Sequence, residues 1–315
     1  MKNLKKGFAV LACASMALTL TGCGGGSSSA KYTKVGFGMI TSVTEKEGYN
    51  QINTTMATVG VDKDGKIQYV DLDVAQNDTN NTTETRTKKE KKEDYGMKSL
   101  SEKMGIGKEW YEQVDYLEEK LIGMTKDDVT KIETYKKDDE HDSVPAEGTD
   151  IATGCTINIG GFQKAIAKAF DNMEEVSGAE KIGAGEVIKV ADDTVNTTAT
   201  SVALDKDGKI VWSSIDVAQT KDASETRSKL EKKDDYGMKG LSEKLGIGKE
   251  WYEQVDFLKE KLVGMTKDDV AKIETYKKDD EHDSVPAQGT DIATGCTINI
   301  GDFQEALAEA FDTAK

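Results

Sequence analysis

Three runs near the start of the mature region, 35–43, 51–61 and 66–74, are rich in Thr, Val and Ile. That composition suits pleated, half-buried strands. Asp62-Lys63-Asp64-Gly65 separates the second run from the third and predicts a hairpin turn, with glycine supplying the left-handed position. Further along, the period changes. Trp110, Val114, Leu117 and Leu121 fall at i, i+4, i+7 and i+11, one face of a helix. Thr125-Lys126-Asp127-Asp128 is a T-x-x-D cap that opens a short helix through Ile132 and Tyr135. Phe162, Ala165, Ile166, Ala169 and Phe170 mark a closing amphipathic helix that begins near Gly160. A charged segment, 84–93, and a polar loop, 136–149, lie between these elements. Strands in hairpin series followed by helices predict an α+β fold with an antiparallel sheet.

The whole pattern occurs twice. From Arg86 to Asn172 against Arg227 to Thr313, 15 of 87 positions differ; from Asn53 to Gln76 against Asn196 to Gln219, 10 of 24 differ. The chain therefore reads as two tandem copies of one antiparallel-sheet domain with packed helices: domain 1 at 31–173, a linker at 174–181 and domain 2 at 182–315. Each copy is long enough for its own core. The D-x-D-G run returns as Asp205-Lys206-Asp207-Gly208. It lacks the later ligands of an EF-hand, which favours a turn over a calcium loop.

Residues 1–22 read as a lipoprotein signal peptide: Lys2, Lys5 and Lys6 precede an apolar stretch, 7–20, and Leu20-Thr21-Gly22-Cys23 has the form of a lipobox. Cys23 is the expected lipidation site, and residues 23–30 are a Gly/Ser tether. The expected location is the extracytoplasmic face of the cell membrane, lipid-anchored, with no spanning helix. The formal net charge is −16, and removal of the three signal lysines makes it more negative. That argues against nucleic acid as a partner. Cys155 and Cys296 occupy equivalent places in the copies, so neither has a partner within its own copy; buried free thiols are expected, with an inter-repeat bridge left open.

Catalytic chemistry is sparse. His141 and His282 sit in charged loops, and no Ser-His-Asp set, paired-cysteine motif or P-loop occurs. Trp110, Tyr111 and Tyr95 read as core, and Lys88, Lys89, Lys91 and Lys92 as a solvated face. One feature remains. Asp150-Ile151-Ala152-Thr153-Gly154-Cys155-Thr156-Ile157-Asn158-Ile159 recurs unchanged 141 positions later, from Asp291 to Ile300, and each copy runs into the closing helix. A small-residue turn ending in threonine before a helix N-terminus can hold a phosphate; the bland alternative is a turn in which the threonine caps the helix.

Asp150 to Thr156 resembles the D-x-x-[S/T]-G-A-T signature of the FMN-binding domain family, with Cys155 and Cys296 in place of the family alanine. The resemblance covers both copies and includes the D-x-D-G-K-I turn and the closing helix. Tyr95-Gly96-Met97-Lys98 and Glu109-Trp110-Tyr111-Glu112-Gln113 resemble a subgroup of lipoproteins from anaerobic Firmicutes. It implies covalent FMN, joined through its phosphate to Thr156 and Thr297 by a dedicated flavin transferase. Asp150 and Asp291 would be part of what that enzyme recognises, and Gly154 and Gly295 would leave room for the phosphate. The implied role is electron transfer between a membrane quinone-linked dehydrogenase and an extracellular electron acceptor, without catalytic residues or a metal. The alternative is a flavin-free family member that binds a ligand or serves the envelope without redox chemistry.

Overall fold

The structure, a computed structural model, describes residues 31–139, 141–280 and 282–315. The expected signal segment, Cys23 and the tether lie outside the described residues. The first copy opens with three long strands, β1 Lys34–Lys46, β2 Tyr49–Val61 and β3 Ile67–Asp78. They form an antiparallel meander in which Lys34 faces Val61, Lys46 faces Tyr49 and Gln51 faces Asp78. The Asp62 turn is as expected. Asp62 Oδ1 accepts the N–H groups of Asp64 and Lys66 at 2.9 and 3.0 Å, and Gly65 adopts φ +73°.

Helices follow. They are α1 Lys88–Lys91, α2 Lys98–Glu102, α3 Trp110–Leu121 and α4 Lys126–Thr130, then a small hairpin of β4 Thr134–Tyr135 and β5 Val144–Pro145, and the closing α5 Gly160–Asp171. All four residues of the Trp110 stripe are buried, so the helical period was the correct reading there. Thr125 caps α4 as expected, its Oγ1 accepting from the Asp128 N–H. That helix stops at Thr130, however, and Tyr135 is in a strand. The polar loop 136–149 is also more structured than expected, because Val144 and Pro145 are buried in the hairpin.

The second copy repeats the arrangement: β7 Lys181–Ala191, β8 Thr194–Leu204, β9 Ile210–Thr220, α6 Lys229–Lys232, α7 Lys239–Glu243, α8 Trp251–Leu262, α9 Lys267–Ala271, β10 Thr275–Tyr276, β11 Val285–Pro286 and α10 Gly301–Thr313. The fold is α+β with antiparallel sheets. The segment 174–181, expected as a linker, is pinned: β6 Glu174–Glu175 pairs with Lys34 and Val35 of β1, and Ala179 is fully buried.

Each sheet is buried on both faces. One face packs on its own helices, through Ala57, Val59, Leu72, Val114, Leu117 and Phe162 in the first copy. Here α5 lies hard against β1, because a Cβ on Gly36 or Gly38 would come within 2.0 or 2.1 Å of the Ala169 or Ala165 carbonyl oxygen. Gly183 and Gly185 do the same under α10. The opposite faces of the two sheets form a third, shared core. Val35, Phe37, Met39 and Met56 of one copy meet Ile182, Ile188, Ala199 and Trp212 of the other. Within this interface the Thr58 and Ser201 hydroxyls hydrogen-bond at 2.6 Å. The copies thus make a sandwich, sheets inside and helices outside.

Candidate functional site

The repeated decapeptide forms a 3₁₀ turn, Ile151–Thr153, then a short irregular stretch leading into α5. Alternate apolar side chains anchor it. Ile151, Cys155, Ile157 and Ile159 are all buried in the helix-side core. The Cys155 thiol is 0 % exposed and the Cys296 thiol likewise, both unbridged. Burial pushes them up to about 12 and about 11, so neither is a thiolate near neutral pH. Cys155 therefore serves as a small apolar wedge where the resembling family has alanine.

Anchoring Cys155 leaves Thr156 half-buried, and its partner is a side chain that the sequence did not single out for a role. Gln113, fully buried on α3, accepts both the Thr156 N–H at 2.9 Å and the Thr156 hydroxyl at 3.3 Å through one carboxamide oxygen. Its Nε2 donates to the Lys108 carbonyl at 3.3 Å, which fixes which end faces the threonine. Gln254 holds Thr297 in the same way, at 2.8 and 3.2 Å. The available signal was a glutamine next to Val114 in a helix whose apolar stripe faces the core.

Two expectations about this turn need revision. Thr156 does not cap α5; it lies four residues upstream, and Asn158 Oδ1 accepts the first helical N–H, that of Gly160, at 3.2 Å. Nor is the space over Gly154 open. A Cβ there would come within 2.5 Å of the Tyr116 ring, and at Gly295 within 2.6 Å of the Phe257 ring. The glycine accommodates the protein's own aromatic side chain. Lys108 and Lys120 lie 4.3 and 5.0 Å from the centre of that ring. Tyr116 also hydrogen-bonds the Thr153 hydroxyl at 2.7 Å. Asp150 is exposed and paired with Lys120 at 2.7 Å, and Asp291 with Lys261 at 2.6 Å, so each aspartate stands where another protein can reach it.

Space for a ligand lies on the other side of the threonine. Thr297 borders a surface groove of about 330 Å³. Leu245, Tyr276, Val285 and Pro286 supply its apolar wall, and Lys278 and Thr294 its polar one. The equivalent positions in the first copy are Met104, Tyr135, Val144, Pro145, Lys137 and Thr153. A threonine hydroxyl at the mouth of a groove with an aromatic wall and a lysine fits a group that joins a phosphate to a planar ring; groove volumes of this order hold small cofactors.

The remaining titratable candidates carry less. His141 Nδ1 lies 2.7 Å from Asp138 on an exposed loop. Among the described residues no group of three or more His, Cys, Asp or Glu could hold a metal ion. The lysine run is not the solvated face that was expected: Lys88 lies 5.1 and 5.3 Å from the Tyr95 and Trp110 ring centres, and burial lowers it to about 8. Comparison with family models, curated proteins and solved structures returned no match.

Proposed function

We propose that the chain is a lipid-anchored, extracytoplasmic flavin carrier, with FMN joined through its phosphate to Thr156 and Thr297, and that it passes electrons between a membrane quinone-linked dehydrogenase and an extracellular acceptor. The observation that carries this reading is the placement of Thr297: half-buried, oriented by Gln254 and bordering the groove. Bound, the flavin supplies the one- and two-electron chemistry that the side chains lack. The residues around it hold and orient. Gln113 and Gln254 accept the hydroxyl proton and so turn an Oγ lone pair away from α3 and α8. A carboxamide is no base, so removal of that proton falls to the transferase. Lys278 and its counterpart Lys137 offer positive charge to a phosphate. Tyr276 and Pro286 offer flat apolar surface to a ring, and exposed Asp150 and Asp291 offer the transferase a handle.

Protein produced together with a flavin transferase is expected to keep its flavin fluorescence on a denaturing gel. Thr156→Val and Thr297→Val should each remove about half, and the double variant all. Fluorescence that survives in the double variant would refute the assignment. A flavin-free ligand-binding or envelope role is the second reading. The aromatic rings that fill the space over Gly154 and Gly295 favour it, and a colourless protein from such a host would exclude the flavin carrier in its favour.

A further inference from the structure

The two sheets meet along two seams, built from equivalent positions of the copies but with different electrostatics. In one seam β1 lies against β9; in the other β3 lies against β7. The β1/β9 seam has Met39, Lys168, Ser214, Asp216, Leu230, Glu231 and Lys259. The equivalent positions of the β3/β7 seam hold Glu186, Glu309, Asp71, Asp73, Lys89, Glu90 and Glu118. Two carboxylates and two lysines in the first become six carboxylates and one lysine in the second.

The contacts differ accordingly. Lys168 on α5 bridges the copies in the first seam, 2.7 Å from the Glu231 carboxylate on α6 and 2.7 Å from the Met39 carbonyl oxygen. Buried Asp216 accepts the Val217 and Leu230 N–H groups at 2.7 and 3.1 Å, just as Asp73 accepts those of Val74 and Lys89 at 2.6 and 3.1 Å, and burial pushes it upward too. What sets it apart is Lys168, a cation that opposes that shift where the other seam has Glu309. In the second seam Glu309 on α10 takes the place of Lys168 and confronts Glu90 on α1. Its carboxylate accepts the Glu186 N–H at 2.8 Å. Lys89 is the one cation at these positions and is already engaged, 2.8 Å from Asp71 and 2.6 Å from Glu118. Further charged and titratable groups surround them: Lys88 on α1, Tyr69 on β3 with Tyr32 and Lys315 against its ring, and Glu305 beyond Glu309.

Lys89 alone cannot neutralise this many carboxylates where Asp73 and Glu118 are buried and Asp71, Glu186 and Glu309 half-buried, and the remaining repulsion is relieved by protons. Burial is the largest cause in every case, with neighbouring carboxylates adding to it. Asp73 and Glu118 are pushed up to about 7, Glu186 well above the usual carboxylate range, and Glu309 upward. We propose that the β3/β7 seam is a proton-held latch: protonated carboxylates keep it shut at mildly acidic pH, and their ionisation as pH rises parts β3 from β7 while the β1/β9 seam stays closed. The sign follows from linkage. The folded groups hold protons more tightly than the unfolded chain does, so their stabilisation is complete below the ordinary carboxylate range. It is lost as pH rises through about 7 for Asp73 and Glu118.

Hydrogen exchange of the full chain, read peptide by peptide and corrected for its intrinsic pH dependence, tests this at about pH 5 and about pH 8. Protection of β3 and β7 should fall roughly tenfold or more between them, because a closed state that holds one extra proton weakens about tenfold for each pH unit gained. Protection of β1 and β9 should hold. Glu309→Lys, which recreates the Lys168 arrangement against Glu90, should abolish the difference, and Glu186→Gln should reduce it if the first variant does not fold. Equal loss at both seams, or a pH response that survives in a folded variant, would overturn the proposal.

Discussion

At the scale of single residues, Gln113 and Gln254 hold Thr156 and Thr297 in place. Gln113→Leu keeps the size but leaves the Thr156 N–H and hydroxyl without their acceptor, a loss of about 1–3 kcal/mol for a partly buried donor. Chemical denaturation should show it, and flavin attachment at that copy should fall while the other copy is untouched. Gly154→Ala drives a methyl into the Tyr116 ring. Overpacking of that kind costs about 1–3 kcal/mol, and the Gly295→Ala counterpart against Phe257 should cost a similar amount. Cys155 and Cys296 should resist alkylation in the native protein, since each is fully buried and its thiol is held protonated. Rapid labelling of either at about pH 8, without unfolding, would contradict their role as apolar wedges.

At the scale of elements, the sequence was legible wherever a period repeated. The Trp110 stripe, the Thr125 cap, the Asp62 turn and the Phe162 helix are all local signals, and each stands where its pattern placed it. What escaped depends on contacts distant in sequence. Thr87 caps α1 inside a segment that reads only as charge, and Lys88 and Lys89 find aromatic rings and carboxylates that no local pattern shows. The role of Gln113 is of this kind, because its partner lies 43 positions away. Gly36 and Gly38 read as ordinary members of a strand, yet they set how closely α5 can lie on β1. Gly38→Val should therefore lift α5 and destabilise the first copy by more than the usual overpacking of about 1–3 kcal/mol, since backbone rather than a flexible side chain stands in the way. Thermal unfolding of that variant checks it, and an unchanged midpoint would show that the helix has room to move.

At the scale of the whole molecule, the duplication does more than double a site. Each copy has a core of its own, which was legible, but it also presents the back of its sheet to the other copy. That shared core was hidden because β2 and β8 mix Thr and Ala with Val, a composition equally suited to a wet face. A single copy expressed alone would expose Phe37, Met39 and their neighbours as one apolar patch. Light scattering should find it self-associated, and a stable monomer would contradict the account of the sandwich. The same back-to-back packing directs both decapeptides outward on their helical layers, where a transferase can reach Asp150 and Asp291. Intact mass measured on protein made with a flavin transferase decides whether it does so. A mass increased by two FMN groups is expected, one of which is lost with Thr156→Val and the other with Thr297→Val. An unmodified mass, from a host in which the same transferase flavinylates a control protein, would contradict it.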